Sequence, residues 1–519
     1  MLRLEAASLF PEFEEKPREY CAVFGVTSFT GRDVAHEAVL GLYAQQNRGQ
    51  GGTGIATFNS YGGDFKHYRG KGLVSDVFPK DSIEDYGLNG NTVIGHNRYS
   101  TSGSKEKSNH KDEVRCLQPY VVSYKGRSIA IAHNGNIPQA NLEELKEGLP
   151  LEVPYESDTD SEVLAWRIIH AQGSSWKEKI ARGLSGVKGA YSLVVATDEG
   201  DLFGIKDPLG VRPLAFAKTF DGAAIASETQ GFEHLKGVHD VGEIKNGEMV
   251  HIKPNGEVEF SRVFPETKPA RCVVESLYFK HPNSMEGQYE VSEVRYRSGQ
   301  EAAREFPLPS DYMFIGIPDS GQDFMCGYAE ALGAIARNTA IRKDRYRGGI
   351  RSFIEDTPAA RDATLELKFT VSRAVRDKIV VLGDDSLIRG KTTEKLIAKV
   401  RAKGAKEVHV VLGSPKFVET CDLGVDIASH NELKALKNGG GIPGIKTDQQ
   451  IADEIGADSV HFLSLEGLKK AIGGEADEFC ANCMTRSHPI RRLGSLAGEI
   501  YTPIDLVEGE ELTLRKLSA

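Results

Sequence analysis

Short apolar runs rich in β-branched residues recur through the first half of the chain: CAVFGVTSF from Cys21, NTVIGHNRYS, SIAIAHNGNI, AYSLVVATD and AAIASET. Their length and composition predict strands. Two stretches switch to helical spacing, one near Asp33 to Gln46 and one from Asp160 to about His170. That alternation suits packed sheets flanked by helices. The polar, proline-containing FPETKPARC, around 264 to 272, breaks the pattern and is the expected domain junction. Beyond it the order becomes YMFIGI, GYAEALGAIA, KIVVLGDD, a helix after Thr392, and EVHVVLG. Such βαβ order predicts a parallel sheet with its ligand at the carboxyl ends of the strands. HNELKALKNGG carries charge patterning and ends in a glycine loop, and periodicity fades over roughly the last 40 residues. No internal repeat or low-complexity tract is visible.

At 519 residues the chain exceeds what one core usually supports, so two or three domains are expected. The formal net charge is -10 with no sustained basic run, which argues against nucleic acid or an anionic membrane as partner and leaves small molecules. No stretch approaches the ~18 apolar residues of a membrane span, and MLRLEAASLFPEFEEKPREY lacks the apolar centre of a signal peptide. A soluble, cytoplasmic protein is the expectation. Seven cysteines are too sparse for a secreted disulfide framework and suggest metal-binding or catalytic thiols.

VVLGDDSLIRGKTT (380 to 393) ends like a nucleotide-binding P-loop, but six residues separate Gly383 from Gly390 where that motif requires four. What remains is a strand that delivers two acids, Asp384 and Asp385, beside a loop entering a helix. This is a plausible site for a phosphorylated sugar and its metal.

Cys21 opens an apolar strand, and a cysteine there is often simply buried. Its context is more specific: QQNRGQGGTGI, GHNRYSTSG, AHNGNI, SDTDSEVLAW, DPLGVRPL and ASET follow in that order. The set resembles the glutaminase domain of the class II glutamine amidotransferases, an N-terminal-nucleophile (Ntn) hydrolase with an αββα sandwich. The resemblance implies that residues 1–20 are a removable propeptide, because the freed α-amine of Cys21 would be the general base, with a pKa of about 7.7 to 8 suited to neutral pH. It further implies that Arg98 clamps the glutamine α-carboxylate and Asp160 holds the α-ammonium. Asn134 and the Gly135 NH would form the oxyanion hole, and Arg48 would help order the glutamine site. Two positions depart from the family pattern: Ala22 where Gly is usual, and Asn47 where His is usual.

GDDSLIRGKTT in turn is similar to the signature of type I phosphoribosyltransferases. The resemblance implies that Asp384 and Asp385 engage the ribose and Mg²⁺ of phosphoribosyl pyrophosphate (PRPP), with Ser320 also serving the metal. Ser386, Arg389, Gly390, Lys391 and Thr392 would cradle the 5′-phosphate. Asp319, Ser320 and Gly321 of IGIPDSG would hold the pyrophosphate. KDRYRGGIRSFIE resembles the family's closing loop and would bring Lys343, Arg345 and Arg351 to the leaving group. Here the departures are Gly383 at a usually β-branched position, Lys391 in place of a threonine, and a longer closing loop.

FCANCM holds Cys480 and Cys483, and a lone CxxC is ambiguous among zinc, iron-sulfur and redox use. Taken whole, the chain resembles the glutamine PRPP amidotransferases, and in one branch of that family Cys272 and Cys421 complete a 4Fe-4S ligand set with this pair. Cys116 and Cys326 match no ligand position and read as buried or half-buried. The implied reaction releases ammonia from glutamine at Cys21, carries it along an enclosed, mostly apolar path, and displaces pyrophosphate from PRPP to open purine biosynthesis. The implied organisation is a propeptide (1–20), a glutaminase domain (21–262), a phosphoribosyltransferase domain (263–470) and a C-terminal segment (471–519). Purine nucleotide inhibitors and a homotetramer are also implied. Two alternatives stand beside this reading: a paralogue acting on another phosphoribosyl substrate, and a non-catalytic PRPP-binding regulator.

Overall fold

The computed structural model describes residues 21–60, 62–98, 112–343, 369–427, 429–437, 443–475 and 477–504. They form two compact units. The first takes the described residues up to Val291, those from Thr420 to Ile427 and those from Gly473 onward; the second takes Ser292 to Glu419 and Ser429 to Ile472. The break therefore differs from the 262/263 and 470/471 boundaries read from the sequence. FPETKPARC interrupts the strand pattern without ending the unit, because Arg271 and Cys272 pair in parallel with Phe479 and Cys480. Glu228 likewise accepts from the His281 NH and the Ser284 hydroxyl. Tyr501 is fully buried, and its carbonyl receives the Gly186 NH at 2.8 Å.

Two antiparallel sheets make up the first unit. The seven-stranded sheet runs His239–Glu243, Ala215–Thr219, Gly222–Ala226, Ala22–Ser28, Thr92–Arg98, Gly52–Phe58 and Phe65–Lys71; the six-stranded sheet runs Val258–Arg262, Glu248–Ile252, Leu202–Lys206, Ala190–Thr197, Arg127–Asn136 and Tyr120–Tyr124. Alternation along each strand sorts side chains to two faces. Val23, Ile94, Ala130, Val194 and Leu202 pack between the sheets. Phe24, Val26 and Val93 point the other way, onto Ala35, Ala38 and Leu42 of the Ala35–Ala44 helix. On the opposite outer face Ile129, Leu193 and Phe203 meet the Asp160–His170 and Trp176–Gly183 helices. Helix, sheet, sheet, helix is the resulting layer order, and strands buried on both faces explain their near-continuous hydrophobicity.

The second unit is a four-stranded parallel sheet ordered Met313–Gly316, Ile379–Asp384, Glu407–Leu412 and Ser459–Phe462. Val380, Leu382, Val408 and Val410 share a core with Leu396, Ile397 and Val400 of the Lys391–Ala402 helix. Across the sheet lies the Gly321–Ala331 helix. It accounts for the unusual Gly383: a Cβ there would lie 2.3 Å from Met325 Cε and 3.1 Å from Phe324 Cδ1. Met325 occupies the space a branched side chain would need. Among its described residues HNELKALKNGG contributes the short 3₁₀ turn His430–Glu432 and an isolated bridge from Leu436 to Ile445. No described helix is long and apolar enough to cross a membrane.

Candidate active site

Cys21 leads directly into the Ala22–Ser28 strand, and Arg98 ends a neighbouring strand. The antiparallel register Ala22↔Asn97 puts Cys21 level with Arg98. Asn134 and Gly135 lie on the other sheet, opposite Ser192 and Tyr191. Ser227 joins the two sheets: its hydroxyl accepts the Val23 NH at 2.9 Å and receives Asn134 Nδ2 at 3.4 Å. Gly135 has φ +153°, and a Cβ there would come within 1.9 Å of the Ala190 carbonyl oxygen, so only glycine fits.

Asp160 owes its place to its helix. Thr159 caps the Glu162 NH, while the Glu162 carboxylate takes the Glu156 and Ser157 NH groups at 2.7 Å each, locking the turn before the helix. Asp160 Oδ2 accepts the Ile137 NH at 3.0 Å, which ties this carboxylate to the end of the Asn134 strand. Burial pushes its pKa up, but His133, 3.7 Å away, and hydrogen bonds from Ile137 and Ser161 hold it below the ordinary carboxylate value. His96 is fully buried and held neutral: desolvation, with Arg98 and His133 nearby, takes its pKa down to about 3. Its Nε2 faces the His133 carbonyl at 3.1 Å.

Arg48 is fully buried and pairs bidentately with Glu275 at 2.9 Å, while its Nε donates to the Cys21 carbonyl at 3.1 Å. Its guanidinium thus holds residue 21. Asn47, the family departure, donates to Glu228 and to the Phe279 carbonyl, so the neutral amide has its own anchors. Ser227, Glu275 and Arg212 were not singled out by sequence reasoning. Ser227 and Arg212 sit inside the quoted ASET and DPLGVRPL motifs, whereas nothing local marks Glu275.

In the second unit the Ile317 NH donates to the Gly383 carbonyl at 2.8 Å, and the Gly321 backbone packs against the end of the same strand. This brings Asp319, Ser320 and Gly321 beside the buried pair Asp384 and Asp385. The Pro318–Asp319 peptide is cis. Asp384 Oδ1 takes the Asp385 NH at 2.9 Å, and Ser386 Oγ donates to Asp385 Oδ1 at 2.5 Å. Lys343 pairs with Asp319, and Arg389 pairs with Glu432. Left-handed Gly390 leads into the helix N-terminus at Lys391 and Thr392, where NH groups and the helix dipole favour an anion. Arg345 and Arg351 lie outside the described residues.

The four expected cluster thiols converge in the first unit. Cys272 pairs in register with Cys480, Cys483 follows on the Asn482–Thr485 turn, and Cys421 bridges to Ile427. Asn482 Nδ2 reaches the Thr420 carbonyl at 3.2 Å, closing the group. Burial raises all four thiol pKa values, Cys272 to about 11, with Arg212 pulling against it. Among the described residues no three His, Cys, Asp or Glu side chains form a group that could hold a metal ion. Cys116 is half-buried, as expected, but Cys326 is exposed because it sits on the outer side of the Gly321–Ala331 helix.

Both units answer to one class, a glutamine amidotransferase joined to a phosphoribosyltransferase. A glutamine amidotransferase domain family matches residues 106–234. The amidophosphoribosyltransferase of Methanocaldococcus jannaschii is 36% identical over 486 residues, covering 90% of this chain and 97% of that protein. The Bacillus subtilis amidophosphoribosyltransferase is 33% identical over 506 residues, covering 96% and 98%. The solved B. subtilis glutamine PRPP amidotransferase, complexed with ADP and GMP, superposes with a TM-score of 0.78 at 31% identity, covering 90% of this chain and 97% of that one. A second solved structure, described as the allosteric regulatory enzyme of purine biosynthesis, gives 0.77 at 32% identity, covering 90% and 96%. The chain belongs to the amidophosphoribosyltransferase family. It is a glycosyltransferase-type enzyme with an Ntn glutaminase fold and a phosphoribosyltransferase fold.

Proposed function

We propose that the chain converts glutamine and PRPP to 5-phosphoribosylamine, glutamate and pyrophosphate, with Cys21 as the glutaminase nucleophile. The observation that carries this is the register that levels Cys21 with Arg98 while Ser227 bridges the same strand to Asn134. In this reading residues 1–20 are removed, the α-amine of Cys21 takes the thiol proton, and the sulfur attacks the glutamine amide carbon. Asn134 Nδ2 and the Gly135 NH receive the developing oxyanion. Arg98 binds the α-carboxylate and Asp160 the α-ammonium. Ammonia leaves as the acyl-thioester forms, and water then releases glutamate.

In the phosphoribosyl half Asp384 and Asp385 hold the ribose hydroxyls. Ser386, Arg389, Gly390, Lys391 and Thr392 take the 5′-phosphate, while Asp319, Ser320, Gly321, Lys343 and Arg345 serve the pyrophosphate. Two adjacent carboxylates at a strand end, with the Ser320 hydroxyl nearby, form the sparse oxygen set that suits Mg²⁺ bound together with a phosphorylated substrate. The ion, when bound, would offset pyrophosphate charge. Cys272, Cys421, Cys480 and Cys483 would hold a 4Fe-4S cluster, since four thiolates are the ligand set such a cluster requires. The cluster would tie three separated chain segments together. Purine nucleotides are the proposed inhibitors, since a solved relative carries ADP and GMP, and the proposed setting is a cytoplasmic homo-oligomer.

The test is to incubate the processed protein with PRPP, Mg²⁺ and glutamine and to measure glutamate and pyrophosphate together, with intact mass on the same sample. Equimolar products from a chain beginning at Cys21 are expected. Full activity from a chain that retains residues 1–20 refutes the nucleophile assignment, and glutamate without pyrophosphate refutes the acceptor.

A further inference from the structure

The buried polar groups of the first unit include a continuous ionic chain that the reaction scheme above does not use. Arg48 Nε donates to the Cys21 carbonyl at 3.1 Å, and both Nη atoms of Arg48 bind the two oxygens of Glu275 at 2.9 Å. Glu275 Oε1 also accepts from Arg212 Nη1 at 3.0 Å. Arg212 then spends Nε and Nη2 on the Leu423 carbonyl, at 3.1 and 2.8 Å. Side-chain exposure of Arg48, Arg212 and Glu275 is 0%, 1% and 3%. Three charges taken out of water are retained only when each is closely paired, and removing one leaves the others uncompensated.

The placement of this chain gives it a consequence for chemistry. A residue that begins a polypeptide has no preceding peptide plane to orient it. The peptide that follows helps to orient its amine and thiol, and that peptide's carbonyl is the atom Arg48 holds. Arg48 is in turn aimed by Glu275, through a two-point contact that leaves the guanidinium plane no freedom to swing. We infer that Glu275 is a positioning residue for the nucleophile: through buried Arg48 it sets the backbone plane of residue 21, and through Arg212 it anchors that plane to the loop following Cys421. This rests on the reading of Cys21 as nucleophile. Glu275 lies three positions after Cys272 and Leu423 two after Cys421, so the anchor is built on the segments that carry the clustered thiols.

The experiment compares wild type, Glu275→Gln and Glu275→Asp as full chains. It measures glutamine-dependent and free-ammonia-dependent synthesis, kcat and KM for glutamine, and the rate at which 6-diazo-5-oxo-norleucine, a glutamine-shaped electrophile, labels Cys21 by peptide mass mapping. For Glu275→Gln the expectation is a fall in glutamine-dependent kcat of about 10- to 100-fold with KM within about twofold, as for a misplaced reacting group. Cys21 labelling should slow in parallel, and ammonia-dependent synthesis should persist. Glu275→Asp, which keeps the charge but shortens the reach, should lie between, and it carries the test alone if Glu275→Gln fails to fold. Parallel loss of glutamine- and ammonia-dependent activity, or wild-type kcat in the variants, overturns the inference. Wild type that hydrolyses glutamine yet is never labelled at Cys21 overturns the nucleophile reading instead.

Discussion

Gly135→Ala tests the proposed oxyanion site. The added methyl would sit 1.9 Å from the Ala190 carbonyl oxygen, 2.7 Å from its carbon and 2.8 Å from His133 Nε2. No rotamer relieves this, because the obstacle is backbone in a strand buried within the six-stranded sheet, where Asn136 pairs with Ala190. The strands must part by about 1 Å, a displacement that can cost ~10²-fold in rate when it moves a catalytic group. Loss of a single oxyanion donor costs ~10² to 10³ in kcat. Because Asn134 remains, the expected glutaminase deficit is about 10²-fold in kcat, accompanied by about 1 to 3 kcal/mol of overpacking destabilisation. Steady-state glutamate release measures the first, and chemical denaturation the second. Ammonia-dependent synthesis, which bypasses this site, should stay near wild type. A variant that hydrolyses glutamine within about threefold of wild type would show that the Gly135 backbone is not the oxyanion donor.

Three further outcomes are expected. Gly383→Val should lower stability by about 1 to 3 kcal/mol through collision with Met325, and Met325→Ala in the same chain should restore part of it; strictly additive losses in a double-mutant cycle refute the packing account. Asp207 is fully buried, and desolvation lifts its pKa to about 6 despite hydrogen bonds from the Leu209 and Val211 NH groups. Its folded pKa exceeds the ordinary ~3.9, so the native state gains stability as pH falls from about 6 to 4, by up to ~3 kcal/mol. Asp207→Asn should flatten that slope in denaturation curves, and an unchanged slope refutes it. Anaerobically purified protein should be coloured and carry about four irons per chain, and Cys483→Ser should abolish both. A colourless wild type holding one zinc would refute the cluster.

Legibility in the sequence followed the range of the interactions. The Asp160–His170 helix could be read because its capping residues, Thr159 and Glu162, lie within a few positions of the helix they start. The Ile379–Asp384 strand with its terminal acids was equally local. Glu275 was opaque: in ESLYF it reads as one acid in an apolar run, and its partners, Arg48 and Arg212, are distant in the chain. Where the two units divide was hard to read for the same reason. Prolines in FPETKPARC mark a local interruption, while the pairing of Cys272 with Cys480 that keeps this stretch in the first unit is invisible to any window. Gly383 looked like a departure until its neighbour across the sheet, Met325, was in place.

The first unit is assembled from chain that is left and rejoined twice, its last pieces being the Cys480 strand and buried Tyr501. During synthesis, which proceeds from the amino end, the sandwich must wait for the ribosome to deliver those pieces, and the intervening parallel-sheet unit emerges in full first. A transcript cut short before residue 473 would therefore release a protein with every glutaminase motif translated and the glutaminase unit still missing its closing pieces.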